Sequence, residues 1–139
     1  MKNVILSVSG RQSYKDQEPE IIELVTEGTL KRTGESWELQ YEESPLTGLD
    51  GVTTTFEIAP DKVILTRTGK LNSQMVFVEG VTHDSLYQMD FGALMISVCA
   101  TSIRFDITEN GGTVDLDYDI QVEQSAAGRI SYHLDIRHK

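Results

Sequence analysis

The segment Val114–Glu123, VDLDYDIQVE, alternates apolar and polar residues without a break. Val114, Leu116, Tyr118, Ile120 and Val122 take one parity, while Asp115, Asp117, Asp119, Gln121 and Glu123 take the other. Successive side chains of a strand point to opposite faces, so this pattern spells a strand with one buried face and one wet face.

The same grammar recurs along the chain, in short segments separated by turn residues, and no long amphipathic helix is legible. Strands are read near Asn3–Tyr14, Ile21–Lys31, Ser36–Glu43, Val52–Ala59 and Val63–Thr68. Others follow near Gln74–Glu79, Asp84–Asp90, Leu94–Thr108, Thr113–Gln124 and Arg129–Arg137. Asp50-Gly51, Pro60-Asp61, Thr68-Gly69, Asn110-Gly111-Gly112 and Ala127-Gly128 supply the turns between them. Pro19 and Pro45 also fall outside the strands, as ladder pairing requires.

Short connections favour a meander, and a long meander curls until closure removes its exposed edges. The predicted fold is therefore all-β, a single antiparallel meander barrel of about eight to ten strands spanning the whole chain. One strand shows where the wall bends. In Leu94–Thr108 the apolar parity is Leu94, Ile96 and Val98 at first, then Ile103, Phe105 and Ile107. The phase flips near Cys99–Ser102, which predicts a bulge or a sharp bend there.

Composition sets outer bounds. The chain has 139 residues, with 39% hydrophobic and 24% charged, which suits one globular domain with its own core. The formal net charge is −10, so an acidic surface repels nucleic-acid phosphates and no such partner is expected. MKNVILSVSG is too short and too alternating for a signal peptide, and no apolar run approaches a membrane span. The expectation is a cytoplasmic protein with no membrane partner. The one cysteine, Cys99, excludes an internal disulfide, and its apolar surroundings predict a small buried thiol.

The strong chemical motifs are absent: there is no P-loop, G-x-G-x-x-G, C-x-x-C, H-E-x-x-H or G-x-S-x-G. His83, His133 and His138 are scattered and read as surface residues. Asp115, Asp117 and Asp119 have the spacing of a calcium loop, but Ile120 stands where its turn glycine is needed and Ala126 where its glutamate is needed. On a strand these carboxylates lie about 7 Å apart in a row and read as a solvated face. No metal and no cofactor are expected.

Topology supplies better candidates. If consecutive strands pair, the third strand runs toward the 44–51 loop, the fourth leaves it and the fifth returns to the same end. With the apolar parity inward, Glu43, Thr54 and Arg67 gather inside one mouth of the barrel. Tyr41 shares the face of Glu43, and Tyr87, Met89 and Phe91 approach the same mouth on the seventh strand. An arginine at a core-parity position is costly unless paired. Three readings of Arg67 stand open: an internal pair with Glu43, a side chain that snorkels to the rim, or an anchor for an anionic head group above an apolar cavity. The aromatics Trp37, Tyr41, Phe56, Phe77, Tyr87, Phe91, Phe105, Tyr118 and Tyr132 have mostly inward parity, either filling the core or lining a cavity.

Several of these residues stand in a familiar order. Tyr41-Glu42-Glu43, Val52-x-Thr54, Arg67-x-Gly69 and Phe77-Val78-x-Gly80 are followed by Tyr87-x-Met89-x-Phe91-Gly92, Ser102-Ile103 and Tyr118-Asp119. In that order and spacing the chain resembles the YwiB-like family of uncharacterised bacterial proteins, over most of its length. The resemblance implies a calycin-like β-barrel, similar in architecture to the lipocalins and avidins, in a bacterial cytosol. It brings no established activity and no catalytic residues.

The expected function is a non-enzymatic barrel that binds a small, partly apolar, anionic ligand. Arg67 would meet the charge, Tyr41, Tyr87 and Tyr118 would orient the guest, and Thr54 and Glu43 would complete the mouth. The alternative is a structural or protein-interaction module with a packed interior, for which a homodimer is one form. An enzyme would need a pocket with a perturbed titratable group beside a nucleophile or base, and no pair in the sequence demands one.

Overall fold

In the computed structural model, which describes residues 2–14, 18–43, 50–89, 92–123 and 125–139, ten strands close into one barrel. They are β1 (Lys2–Tyr14), β2 (Glu20–Thr33), β3 (Ser36–Glu42), β4 (Val52–Ile58) and β5 (Val63–Gly69). β6 (Leu71–Phe77), β7 (Thr82–Met89), β8 (Gly92–Thr108), β9 (Gly111–Val122) and β10 (Ser125–His138) follow. Each strand pairs antiparallel with the next, and β1 pairs with β10 to close the ring. The meander read from the sequence is thus the observed topology. The sixth strand starts at Leu71, earlier than the expected Gln74, because Leu71, Ser73, Met75 and Phe77 already alternate inward.

The wall has two heights. β3 to β7 are each seven or eight residues long, whereas β8, β9, β10, β1 and β2 run from 12 to 17 residues. The bulge expected in β8 falls between Ala100 and Ser102, where the register against β9 shifts. Glu79 supports it: the Ile103 N–H donates to Glu79 Oε1 at 2.7 Å, and the Gly80 N–H donates to the Ala100 carbonyl at 2.9 Å.

Inward residues lie two apart along each strand and in register between strands, so they stack in rows. Across β3 to β6 the lowest row is Trp37, Ile58, Val63 and Phe77, and the next is Leu39, Phe56, Leu65 and Met75. All eight are buried. Val4, Leu6, Val114 and Leu134 meet them from the tall wall, so this end is a packed hydrophobic plug. β2 and β3 approach closely at Gly28, where a Cβ would stand 2.6 Å from the Gln40 carbonyl oxygen and 2.9 Å from Leu6 Cδ1.

The outward parity carries the charge. His133 Nδ1 lies 2.6 Å from Asp115 Oδ1, and Arg129 Nε lies 3.1 Å from Asp119 Oδ1, both on exposed side chains. The row of aspartates is a solvated face, as expected, and no metal-holding cluster of three acidic, histidine or cysteine groups occurs among the described residues. Among the described residues no helix is long and apolar enough to cross a membrane. Two expectations fail. Cys99 is half-buried on the outer face, because Val98 and Ala100 take the inward positions on either side of it. Phe105 has core parity but is 36% exposed, because it lies beyond the bulge toward the far end of β8.

Candidate functional site

Above the two apolar rows the next inward row is polar. Tyr41 lies opposite Thr54, Thr54 opposite Arg67, and Arg67 opposite Ser73, so four consecutive strands place a polar belt at one height. Glu43 stands one step higher, where its N–H donates to the Val52 carbonyl at 2.9 Å. The connections after β1, β3, β5, β7 and β9 all belong to this end of the barrel. Phe91 lies outside the described residues, as does the 44–49 part of the loop expected at this mouth.

A cavity of about 270 Å³ occupies this end. Part of its lining is aliphatic, with Val8, Leu24, Ile96, Ile120 and Ile130. Part is polar and aromatic, with Tyr41, Glu43, Arg67, Tyr87, Tyr118 and Tyr132. The barrel is therefore neither wholly filled nor wholly hollow. Five of the six residues singled out in the sequence line the cavity. Thr54 does not: it is 0% exposed, sealed in the belt between Tyr41 and Arg67, so its place at the mouth is corrected to the wall behind it.

Arg67 is the central group. It is only 9% exposed, and its Nη2 donates to the Tyr132 hydroxyl at 3.3 Å. In the ring of strands β5 and β10 are diametrically opposed, so this side chain crosses the lumen and forms a strut over the packed end. Burial opposes its charge, but the oxygens of Tyr132, Tyr118 and Tyr87 more than offset that, and the guanidinium is held above its ordinary value. It stays charged at any working pH. Its Nε has no hydrogen-bond partner, and neither do the buried Thr54 Oγ1 and Ser73 Oγ on either side of it in the belt.

Tyr41 and Tyr87 are held neutral. Burial, and then the neighbouring Glu43 carboxylate, push the Tyr41 hydroxyl far above its usual range, and the two side chains share a hydrogen bond. Burial likewise raises Tyr87, while the adjacent, hydrogen-bonded Arg67 pulls the other way. Tyr118 packs on Phe77 with ring centroids 4.6 Å apart. Tyr132 lies nearly parallel to Tyr118 at 6.4 Å and meets Phe56 edge-on at 6.4 Å. These rings connect the floor of the cavity to the packed core.

Tyr132 is the residue that the sequence reading placed among the core aromatics and not among the site residues. Its parity, between Ile130 and Leu134, was visible. Its contact with Arg67 was not, because it depends on closure bringing β10 across from β5. Gly10 completes the arrangement: it lies opposite Tyr132, and a Cβ there would stand 3.3 Å from Tyr132 Cε1.

Comparison with known proteins places this architecture. The chain is 29% identical over 107 residues to the "Uncharacterized beta-barrel protein YwiB" of Bacillus subtilis, which covers 77% of this chain and 74% of that protein. The crystal structure of the ywiB protein from Bacillus subtilis superposes with a TM-score of 0.83 at 24% identity, covering 96% of this chain and 91% of the other, and so shows the same fold. The family model described as "Domain of unknown function (DUF1934)" matches residues 6–136, and with its resemblance to the YwiB-like proteins confirmed, the chain belongs to that family of β-barrels.

Proposed function

We propose that the barrel binds a small, largely apolar molecule whose polar, anionic head meets Arg67. The observation that carries this reading is a buried, permanently charged guanidinium with an unbonded Nε in the wall of a largely aliphatic and aromatic cavity. Ligand sites have this composition: apolar walls with a few fixed polar groups that set orientation. A protein built only to be packed would place a neutral apolar side chain at position 67, as it does at Phe56, Leu65 and Met75 one row below. Tyr41, Tyr87, Tyr118 and Tyr132 supply hydroxyls that orient a guest, and Glu43 marks the rim.

The test is methyl-detected NMR of the isotopically labelled protein against a set of small apolar acids. Saturable shifts at Ile96, Ile120 and Ile130, three methyl-bearing residues lining the cavity, are expected. Shifts confined to the outer face, or none at all, would overturn the proposal.

A further inference from the structure

The charge, size and hydrogen-bond inventory of the cavity narrow its guest. We infer that the ligand is a monocarboxylate of about ten non-hydrogen atoms, which takes the Arg67 guanidinium over from Tyr132. This rests on the binding role proposed above and adds the head-group chemistry and the length of the tail.

Charge comes first. The lining holds one guanidinium, Arg67, and one carboxylate, Glu43, which is as buried as Arg67 and shares a hydrogen bond with Tyr41. Beside that carboxylate, the one guanidinium can accommodate at most a monoanion. A phosphate dianion would bring a second charge into a site where the other lining groups are phenols, a carboxylate, the Gln12 amide and hydrocarbon. An amine would set its positive charge against Arg67 in a low-dielectric space.

Hydrogen bonding comes second. The guanidinium is a planar fork of donors matched to a carboxylate, and such bonds are about twice as strong as those to a neutral oxygen. Its present partner at Nη2 is a neutral phenol at 3.3 Å, a long contact for this type of bond. A carboxylate is thus a better partner than the one it replaces. Nε, with no partner of its own, gives the second prong of the fork.

Size comes third. The space of about 270 Å³ corresponds to about nine water-sized volumes of roughly 30 Å³ each. Octanoate, with ten non-hydrogen atoms, fits that volume with its head at Arg67 and its tail against Val8, Leu24, Ile96, Ile120 and Ile130. Below that length each added CH₂ buries more hydrocarbon and raises affinity about fourfold. Beyond it the chain has no wall left to cover.

The experiment is calorimetric titration of the full chain with straight-chain carboxylates of increasing length, and with octanol, octylamine and octyl phosphate. One-to-one binding of octanoate is expected, at least tenfold tighter than each of the three non-carboxylates, with affinity levelling off near the ten-atom length. Tyr132→Phe removes the competing acceptor and is expected to bind octanoate several-fold more tightly. Arg67→Met is expected to bind octanol and octanoate alike; should that variant not fold, the wild-type head-group series decides by itself. If octanol binds as well as octanoate, the cavity still binds but the carboxylate inference is overturned. If Tyr132→Phe weakens octanoate binding, the exchange at Arg67 is overturned. If no compound in the series binds, the binding role falls together with this inference.

Discussion

Replacing Thr54 with valine tests the unusual chemistry of the polar belt directly. The two side chains have nearly the same shape, so Thr54→Val changes one hydroxyl into one methyl and leaves the packing volume intact. Thr54 is fully buried, and its Oγ1 has no hydrogen-bond partner. A buried, unsatisfied hydroxyl costs about 1–3 kcal/mol relative to one left in water. A methyl in its place adds hydrocarbon burial in a site already bounded by Tyr41 and Arg67. Thr54→Val is therefore expected to stabilise the protein by about 1–2 kcal/mol, against the usual direction for a core substitution. For a chain of this size that corresponds to a rise in Tm of roughly 3–7 °C. Urea unfolding followed by circular dichroism measures it, provided that the slope of free energy on urea is unchanged, so that the compared states are the same. A loss of stability would refute the reasoning. It would show that the hydroxyl is bonded in the folded protein, and that the belt is a satisfied network and not a strained one.

Other perturbations read different parts of the molecule. Gly28→Ala forces a Cβ to within 2.6 Å of the Gln40 carbonyl oxygen, a backbone atom held by the β2–β3 ladder, so it should destabilise by about 1–3 kcal/mol in the same urea assay. Glu79→Ala removes the acceptor for the Ile103 N–H at the β8 bulge; a loss of about 0.5–1.5 kcal/mol and faster hydrogen exchange at Ile103 are expected, with Glu79→Gln retaining most of the protection. Tyr41 and Tyr87 both have raised pKa values in the fold, so the unfolded chain loses those protons first. Their contribution to stability is complete below about pH 10 and declines as pH rises above it, by up to about 1.4 kcal/mol per pH unit for each group. Ultraviolet titration should show Tyr41 ionising only as the protein unfolds; a Tyr41 that titrates normally in the folded state contradicts its burial beside Glu43.

Much of this was legible in the sequence because the decisive signal has a period of two. Val114–Glu123 alternates cleanly, and so do the stretches that supply the two apolar rows, so strand order, closure and the gathering of Tyr41, Thr54 and Arg67 follow from parity and connection length. The break in β8 was legible for the same reason, since a phase flip between Val98 and Ile103 requires a bulge or a sharp bend in the strand. Contacts across the lumen were not legible. Arg67 reaches Tyr132 because ten strands put β5 opposite β10, and the number of strands was known only approximately. Cys99 was misread because composition was followed where parity should have been: Val98 and Ala100 already claim the interior, so Cys99 between them must face out. Thr54 was assigned the right row but the wrong depth, because parity gives the face of a strand and not whether a larger neighbour seals it from the lumen.

The belt is thermodynamically odd, and that oddness supports a reading of function. Phe56, Phe77, Leu39, Leu65, Ile58 and Val63 are each almost wholly buried in the rows beneath it, and such burial contributes roughly 1.5–3 kcal/mol per side chain. That plug gives the fold enough stability to tolerate Thr54 Oγ1, Arg67 Nε and Ser73 Oγ without partners one row higher, at about 1–3 kcal/mol for each neutral group. Stability alone would favour valine, methionine and alanine at these three positions, and the pattern of the two lower rows continued upward would give an apolar belt. Among the described residues, three of the four buried polar atoms without partners lie at one height, between the packed end and the cavity, and one of these lines that cavity with a full charge. A guest that bonds to Arg67 recovers there part of what the apo barrel forgoes, so its affinity and the instability of the empty belt are linked. Substitutions that relieve the belt at Arg67 should therefore stabilise the protein and weaken its hold on a carboxylate together, whereas Thr54→Val, sealed behind the wall, should do only the first.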